Sequence, residues 1–365
     1  MTTLEGLADC GWRTFLTRVL ALEPAPDPLD TLPSVDARMV GNLVHAVLHA
    51  VAGATGAGAP TLAALVATTA QDDPPARPGA ARGWPDADAL EALALRAARE
   101  VLRDEGLVLD GLARVMVEQA LPLLDVARAL DAQARARDHA VLGAEVEGEL
   151  ALAATGPPAS GGDAPPTLSR VRFVADRVER GPDGLLVTDF KTGRPFAEHK
   201  TEAKREEHFL RRVARGRALQ AGAYALAAGP GAEGRYVFLG PRLAPELRVF
   251  RVPAGSAVLA AAFAGATATL GRAYAAGAFF PRLVDDELVR EHRTCARCEV
   301  SQACSRGDSG ARARLAAWVL AHEEPPLEEA AGDGRAGERE PEAARLAYAL
   351  WSIGREPAGA EADEA

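Results

Sequence analysis

The chain has 365 residues, of which 48% are hydrophobic, and it carries a formal net charge of -10 at pH 7. This length and apolar content predict a globular protein with a substantial buried core. No stretch has the roughly 18 to 20 uninterrupted apolar residues of a membrane span, and the N-terminus lacks the basic and then apolar order of a signal peptide. We therefore expect a cytoplasmic protein with no membrane partner. The acidic charge argues only weakly against nucleic acid, because cationic groups can gather in a single cleft.

The N-terminal part of the chain is predicted to be helical. Apolar residues recur at helical spacing over residues 2–22, and a proline-rich segment follows them. A second helix begins near Val35. Gly, Pro and Ala dominate residues 53–84, and an Ala, Leu and Arg pattern typical of helices extends over residues 86–139. We interpret residues 53–140 as a helical insertion.

The pattern changes to strands at residue 141. Residues 141–152, 167–179 and 185–193 each read as a strand, and a Gly-Pro-Asp-Gly turn joins the last two. The other elements follow in this order: a charged helix after Pro195, strands at residues 235–240 and 247–252, and an alanine-rich helix at about residues 254–276. This order of helix, three strands, helix and strand predicts a mixed α/β fold.

Two carboxylates and a lysine lie on the predicted hairpin. Asp189 and Lys191 share one face of their strand, because strand side chains alternate, while Phe190 points to the other face. Asp176 lies on the partner strand. Two neighbouring carboxylates are unfavourable unless a cation joins them, and hard oxygen ligands suit Mg²⁺ or Mn²⁺. We therefore predict a divalent metal site on this hairpin.

The register of the hairpin decides whether the two carboxylates face each other. A two-residue turn at Pro182 and Asp183 pairs Asp176 with Asp189. A bulge at Gly184 shifts the pairing by one residue instead. The sequence leaves both registers open.

A metal ion beside a lysine is suited to phosphodiester hydrolysis. The metal lowers the pKa of a water and polarises the phosphate, and the lysine holds the attacking water and offsets developing negative charge. An isolated Asp-x-Lys motif is nevertheless more often a pair of ordinary solvated hairpin residues. The motif alone is a weak signal.

The hairpin motif belongs to a longer ordered pattern, in which GNLVHAVLH, Glu145, ADRVE, DFKTG and QAGAY follow one another. This set resembles the RecB-family branch of the PD-(D/E)XK nucleases. The resemblance implies a restriction-endonuclease-like fold, with a mixed sheet flanked by helices, and metal-dependent cleavage of DNA. It extends over roughly residues 10–307.

The resemblance assigns roles to individual residues. His45 stands in the family's Gly-x3-His-x2-Leu context and matches a metal ligand, as do Asp176 and Asp189. Lys191 matches the catalytic lysine. Gln220 and Tyr224 match a Gln-x3-Tyr motif that supports the active site or the DNA, and they lie one helical turn apart on the same side.

Two of these assignments have close alternatives. Glu145 resembles the acidic residue of the first core strand and is expected to assist at the active site, but Glu147 lies two residues away on the same face. His49 lies one turn after His45 and is placed equally well on its helix. Each histidine taken alone is more typical of a helix core than of a metal site.

Four cysteines are present, and three of them form a Cys-x2-Cys-x5-Cys cluster. They are Cys10, Cys295, Cys298 and Cys304. Such spacing in a cytosolic chain favours a metal site over a disulfide framework, and it admits zinc or an iron-sulfur cluster. The arrangement resembles the [4Fe-4S] staple of AddB-type nucleases and of CRISPR-associated spacer-acquisition nucleases. We expect the cluster, with zinc as the alternative.

A basic segment follows the predicted catalytic strand. Its cationic residues are Lys200, Lys204, Arg205, Arg211, Arg212, Arg215 and Arg217. Interleaved Glu202, Glu206 and Glu207 are equally typical of a salt-bridged solvated helix, so phosphate contact and solvation both remain open. The glycine-rich segment near Gly53 lacks the lysine and the strand of a phosphate loop. We therefore expect no ATP binding by this chain.

These observations predict a nuclease domain over residues 1–310, with a catalytic core at about residues 141–253 and a helical, acidic and partly disordered tail over residues 311–365. The expected activity is exonucleolytic cleavage of DNA, single-stranded or at duplex ends, in repair or recombination with a separate helicase subunit. A CRISPR-associated spacer-acquisition nuclease is one alternative, although the helical insertion makes the chain large for that group. A silent DNA-binding scaffold is another, against which the intact Asp189 and Lys191 argue.

Overall fold

The computed structural model describes residues 1–23, 34–53, 60–69, 83–152, 170–199, 201–323 and 342–353. A five-stranded mixed sheet lies at its centre, with helices on both faces. The strands are β1 (Ala140–Ala151), β2 (Arg170–Gly181), β3 (Gly184–Lys191), β4 (Glu233–Phe238) and β5 (Val249–Pro253), in that spatial order. The β3 and β4 strands are parallel and the other neighbours are antiparallel. The mixed α/β architecture predicted from the sequence is confirmed.

The hairpin of β2 and β3 has the two-residue turn. Gly181 pairs with Gly184 and Arg177 with Thr188, which is the register that brings Asp176 opposite Asp189. Gly184 has a φ of +142°, and a Cβ there would collide with the backbone of Gly231. The turn therefore requires glycine at this position.

One face of the sheet packs against three helices, namely α3 (Ala37–Ala52), α5 (Ala87–Asp104) and α6 (Asp110–Arg135). Their apolar side chains meet Phe190, Val237 and Leu239 of the sheet in one buried cluster. The Asp36 side chain caps α3 by accepting a hydrogen bond from the backbone N–H of Met39. The pair α5 and α6 thus belongs to the core of the domain.

The opposite face carries the larger core. Its helices are α1 (Thr2–Asp9), α4 (Leu62–Thr69), α7 (Glu202–Ala214), α8 (Gln220–Ala228) and α9 (Ala257–Ala275). Val187, Tyr236 and Phe238 project into this core from the sheet. Because α4 packs here and α5 and α6 pack on the other face, the segment predicted as one helical insertion is divided between the two sides of the sheet. Residues 54–59 and 70–82 of that segment lie outside the described residues.

Several shorter elements connect the main helices and strands. The helix predicted over residues 2–22 is broken at Cys10, after which come α2 (Gly11–Thr14) and a π-helical turn at Phe15–Val19. Short 3₁₀ turns occupy Pro245–Leu247, Arg293–Arg297, Ser301–Ala303 and Ser305–Gly307. Cys10 has extended backbone angles, so a continuous helix cannot pass through it.

The C-terminal part contributes α10 (Ser309–Glu323) and α11 (Glu342–Trp351). Trp351 is fully buried beside Val284 and Val319, and Leu350 joins the core beneath α9. This packing adds α11 to the folded unit, beyond the boundary predicted at residue 310. Residues 324–341 and 354–365 of the predicted tail lie outside the described residues. Within the described part of the chain, no helix is long and apolar enough to cross a bilayer.

Candidate metal centre and catalytic lysine

Three potential metal ligands from three elements meet beside the β1, β2 and β3 strands. They are His45 on α3, Glu145 on β1 and Asp176 on β2, and one donor atom from each lies within 4.8 Å of the others. The His45 Nδ1 atom lies 3.2 Å from Asp176 Oδ1. An imidazole and two carboxylates form a donor set that fits Mg²⁺ or Mn²⁺.

The strand registers explain why these side chains converge. Ala144 pairs with Arg177 and Val146 pairs with Ala175, which leaves Glu145 opposite Asp176. The ladder between β2 and β3 ends at Arg177, and Asp176 Oδ2 accepts a hydrogen bond from the backbone N–H of Phe190 at 2.5 Å. The carboxylate thus binds a backbone donor that the ladder no longer satisfies. This contact fixes Asp176 beside the end of β3.

Glu145 has a left-handed backbone conformation that residues other than glycine rarely adopt. Its φ is +50°. Such a conformation costs about 1 kcal/mol or more and is tolerated where the surrounding structure enforces it, often at functional sites. Burial raises the pKa of Glu145, and the charge of Asp176 raises it further. The pair of carboxylates is therefore unfavourable without a cation.

The electrostatic environment of His45 is also negative. Burial alone lowers the pKa of this imidazole, but the hydrogen bond to Asp176 and the charges of Asp176 and Asp189 raise it, and the net pKa is raised. A site that favours positive charge on a half-buried imidazole also favours a bound cation.

Asp189 and Lys191 form an ion pair next to the three ligands. Lys191 Nζ lies 2.7 Å from Asp189 Oδ2 and donates a hydrogen bond to Gln220 Oε1 at 3.0 Å. Burial raises the pKa of Asp189 to about 6, and the ammonium of Lys191 opposes that rise. Asp189 was predicted as the third metal ligand, but it is not in the group whose donor atoms lie within 4.8 Å of one another. Glu145 is the third member of that group instead.

Gln220 and Tyr224 have different environments although they lie one turn apart. Gln220 contacts the catalytic lysine candidate directly. Tyr224 is fully buried, its hydroxyl donates a hydrogen bond to the Val174 carbonyl at 2.9 Å, and its ring lies 4.9 Å from that of Phe173. Tyr224 therefore anchors α8 to β2.

The two alternatives weighed from the sequence lie outside the group of three. The backbone N–H of Glu147 donates a hydrogen bond to the Pro60 carbonyl, and the Glu147 carboxylate is not among the clustered ligand atoms. His49 lies close enough to Glu145 for its charge to lower the pKa of that carboxyl. It is likewise absent from the clustered group.

Two residues beside Lys191 were not predicted. Tyr236 on β4 places its ring 5.7 Å from Lys191 Nζ, and Glu5 on α1 bonds to the backbone at the start of α8. Tyr236 stands within a predicted strand, where an aromatic residue indicates only β structure. Glu5 lies more than 200 positions from its partner, and no local pattern marks it.

The four cysteines surround one small cavity. Cys10, Cys295, Cys298 and Cys304 line it together with Trp12, Pro281 and Leu283, among other residues, and no disulfide joins them. Burial, together with the charges of the other thiols and of Glu291, raises the pKa of Cys295 to about 11. Bonds between Trp12 Nε1 and the Ala303 carbonyl, and between Arg13 and Glu299, tie the N-terminal segment to the cysteine-rich segment.

The basic segment after β3 is largely engaged within the protein. Arg211 pairs with Glu207, Arg217 pairs with Asp9 at 2.7 Å, and the Arg212 guanidinium lies 5.0 Å from the ring of Phe196. Lys200 lies outside the described residues. The pair of Arg211 and Glu207 lies within the helix, whereas Arg217 and Arg212 contact other parts of the protein, so phosphate contact and solvation both stay open for this segment.

Comparison with known proteins identifies the family. A search of curated proteins found no match to the chain. The family described as the PD-(D/E)XK nuclease superfamily matches residues 1–305. That match includes the whole sheet, the three clustered ligands, Lys191 and all four cysteines. On this match, and with a sheet and a donor set that agree with it, the chain belongs to the PD-(D/E)XK nuclease superfamily.

Proposed function

We propose that this protein is a metal-dependent DNA exonuclease of the RecB and AddB type. The observation that carries the proposal is the convergence of His45, Glu145 and Asp176 beside the ion pair of Lys191 and Asp189. Metal-assisted phosphodiester hydrolysis uses hard ligands for the ion and a positioned cationic side chain. The superfamily match supports hydrolysis of a nucleic acid.

In this proposal His45, Glu145 and Asp176 hold Mg²⁺ or Mn²⁺, and Asp189 lies at the edge of the same site. When bound, the ion supplies an activated water and polarises the scissile phosphate. The ammonium of Lys191 has three N–H donors, of which one bonds to Gln220, and its charge pairs with Asp189. Under this proposal a further N–H orients the attacking water or binds a phosphate oxygen.

The exonucleolytic role, the repair context and a helicase partner rest on the resemblance of the sequence motifs to the RecB and AddB nucleases. DNA, single-stranded or at duplex ends, is the substrate under this proposal. The sequence has no phosphate-loop motif, so ATP-driven unwinding would belong to a separate subunit.

We also propose that the four cysteines hold a [4Fe-4S] cluster that ties the N-terminal segment to residues 295–304. Four ligands at about 2.3 Å from one zinc ion would have sulfur atoms only about 4 Å apart. In the described residues the cysteines do not form a group with ligand atoms within 4.8 Å, unlike His45, Glu145 and Asp176. A cluster binds each thiolate through a different iron and so fits wider spacing better than zinc does.

The spacer-acquisition nuclease and the silent scaffold remain as second candidates. The contact between Lys191, Asp189 and Gln220 favours catalysis over the scaffold, because a silent subunit has no need of a buried carboxylate with a raised pKa. The helices α5 and α6 pack into the core and continue to make the chain large for the spacer-acquisition group.

The direct test is a nuclease assay on labelled linear and circular single-stranded DNA and on duplex DNA, with Mg²⁺, Mn²⁺ or EDTA. We expect metal-dependent cleavage of linear DNA, and Lys191→Ala and Asp176→Asn should each lower its rate by about 10² to 10³-fold. Asp183→Asn, on the exposed turn of the same hairpin, should leave it unchanged. Equal rates in Lys191→Ala and the unmodified protein would contradict the assignment, and rapid cutting of circles would contradict the exonuclease.

The cluster has a test of its own. Replacing Cys298 by Ala should remove the brown colour and lower the cooperative unfolding temperature together, because the cluster joins segments far apart in sequence. Iron and zinc content measured on anaerobically purified protein distinguishes the two metals. A colourless, zinc-free Cys298→Ala variant that is as stable as the unmodified chain would overturn the staple.

A further inference from the structure

Glu5 joins the N-terminal helix to the start of α8. Its Oε1 atom accepts a hydrogen bond from the backbone N–H of Leu219 at 2.6 Å, between residues 214 positions apart. Leu219 is the N-cap residue of α8 and offers no side-chain cap of its own. A carboxylate at this place satisfies an unpaired helix N–H and interacts favourably with the helix dipole. Glu5 is thus the cap of α8, supplied from a distant part of the chain.

The first residue of α8 is the hydrogen-bond partner of Lys191. Gln220 is the first residue of α8, and its Oε1 accepts the hydrogen bond from Lys191 Nζ at 3.0 Å. Glu5 therefore binds the residue that directly precedes Gln220, the hydrogen-bond partner of Lys191.

Strand β4 also contacts the start of α8. The Tyr236 hydroxyl accepts a hydrogen bond from the backbone N–H of Ala221 at 3.1 Å, and the Tyr236 ring lies 5.7 Å from Lys191 Nζ. A Cβ on Gly234 would collide with the Ala221 carbonyl, so the helix lies directly on the strand. Little movement of Gln220 is possible while the cap is in place.

Glu5 itself is fixed by the packing of α1. Leu4, Leu7 and Ala8 on the same helix are buried in the larger core. Arg282 Nη1 donates a hydrogen bond to the Ala8 carbonyl at 3.2 Å. Burial raises the pKa of Glu5, while the bond from Leu219 and the charge of Lys191 oppose that rise. The carboxylate is thus held in a shielded position within the field of Lys191.

We propose that Glu5 is a positioning residue for Lys191, which acts by fixing the start of α8 so that Gln220 stays bonded to the lysine. The inference rests on the proposed catalytic role of Lys191. Glu5 is not among the clustered metal ligands, and its carboxylate binds the backbone of Leu219. Its loss should therefore affect turnover and leave metal and DNA binding intact.

The kinetic test compares Glu5→Ala and Glu5→Gln with Thr2→Ala. Glu5→Ala should lower kcat roughly 10- to 100-fold, as expected for a misplaced catalytic group, with KM for DNA and the Mg²⁺ requirement changed less than about twofold. Glu5→Gln keeps an oxygen acceptor for the Leu219 N–H and should recover most of kcat. Thr2→Ala changes an exposed side chain on the same helix as Glu5, and it should leave kcat unchanged.

A structural measurement separates failure of this inference from failure of the proposed function. Hydrogen-deuterium exchange followed by mass spectrometry should show faster exchange in peptides spanning residues 217–224 in Glu5→Ala, and not in Glu5→Gln or Thr2→Ala. Unchanged exchange in Glu5→Ala, or an equal loss of kcat in Thr2→Ala, would overturn the positioning role. Absence of metal-dependent cleavage in the unmodified protein would sink the proposed function and with it the catalytic part of this inference.

Discussion

Asp189 is an acidic residue held where a negative charge is unfavourable. It is only 4% exposed, and burial raises its pKa to about 6, against 3.8 for the unburied group. Because the folded value exceeds the unfolded one, the unfolded chain releases this proton at lower pH than the folded chain does. Burial of Asp189 therefore lowers the free energy of unfolding progressively as the pH rises from about 4 to about 6. Above that range the loss of stability stays constant.

Asp189→Asn should accordingly stabilise the metal-free protein at high pH. We expect the free energy of unfolding in EDTA to rise by about 1 to 3 kcal/mol at pH 8, with a much smaller change at pH 4. The asparagine still offers an oxygen to Lys191. Urea titrations at the two pH values measure the difference, with Asp183→Asn on the exposed turn as the control. An equal effect at both pH values would exclude the titration of Asp189 as the cause.

At the scale of elements, a buried ionic network joins α6 to the sheet. Asp131 on α6 accepts two hydrogen bonds from Arg177 on β2, at 2.6 and 3.0 Å, and a third from Trp84 Nε1 at 2.8 Å. Arg177 also lies near Glu179, which pairs with Arg235 on β4. These charged side chains are all buried, so each depends on its partners.

Removing Asp131 should destabilise the fold strongly. Asp131→Ala removes both hydrogen bonds to Arg177 and leaves its guanidinium with the longer contact to Glu179 and the ring of Phe190, and breaking a buried pair of this kind costs about 3 kcal/mol or more. Asp125→Ala, which breaks an exposed pair with Arg128 on the same helix, should cost less than about 1 kcal/mol. Chemical denaturation measures both. Similar losses in the two variants would show that the network does not hold α6 on the sheet.

The elements differ in how far the sequence predicts them. The strands and the hairpin turn follow from side-chain alternation and from the Gly-Pro-Asp-Gly turn, and the observed strands agree. The break at Cys10 and the left-handed backbone of Glu145 do not follow from local propensity, because tertiary contacts decide them. The same holds for α4, whose alanine-rich sequence does not reveal which face of the sheet it covers.

At the scale of the whole molecule, the C-terminal helix closes the core. Trp351 is fully buried, and the guanidinium of Arg282 lies 4.8 Å from its ring. Trp351→Ala should lower the free energy of unfolding by roughly 3 to 5 kcal/mol, as expected for truncation of a large buried side chain. Leu320→Ala, on the exposed side of α10, should change it by less than about 0.5 kcal/mol. A small loss in both variants would show that the C-terminal part folds separately from residues 1–310.

The candidate site also combines predictable and unpredictable parts. Asp176, Asp189 and Lys191 were proposed from a short motif, because a hairpin fixes which side chains share a face. The place of Glu145 in the compact donor group, and the cap that Glu5 gives to α8, depend on strand register and on a contact across most of the chain. Spacing in the sequence carries no information about contacts of that range.

The central claim is that His45, Glu145 and Asp176 bind one divalent cation. Crystals of the protein soaked in MnCl₂ test it most directly, through an anomalous difference map recorded near the manganese edge. The account predicts a peak within bonding distance of all three donor atoms and beside Lys191, which disappears in Asp176→Asn. A map with no peak among these three side chains, or with the manganese bound elsewhere, would contradict it.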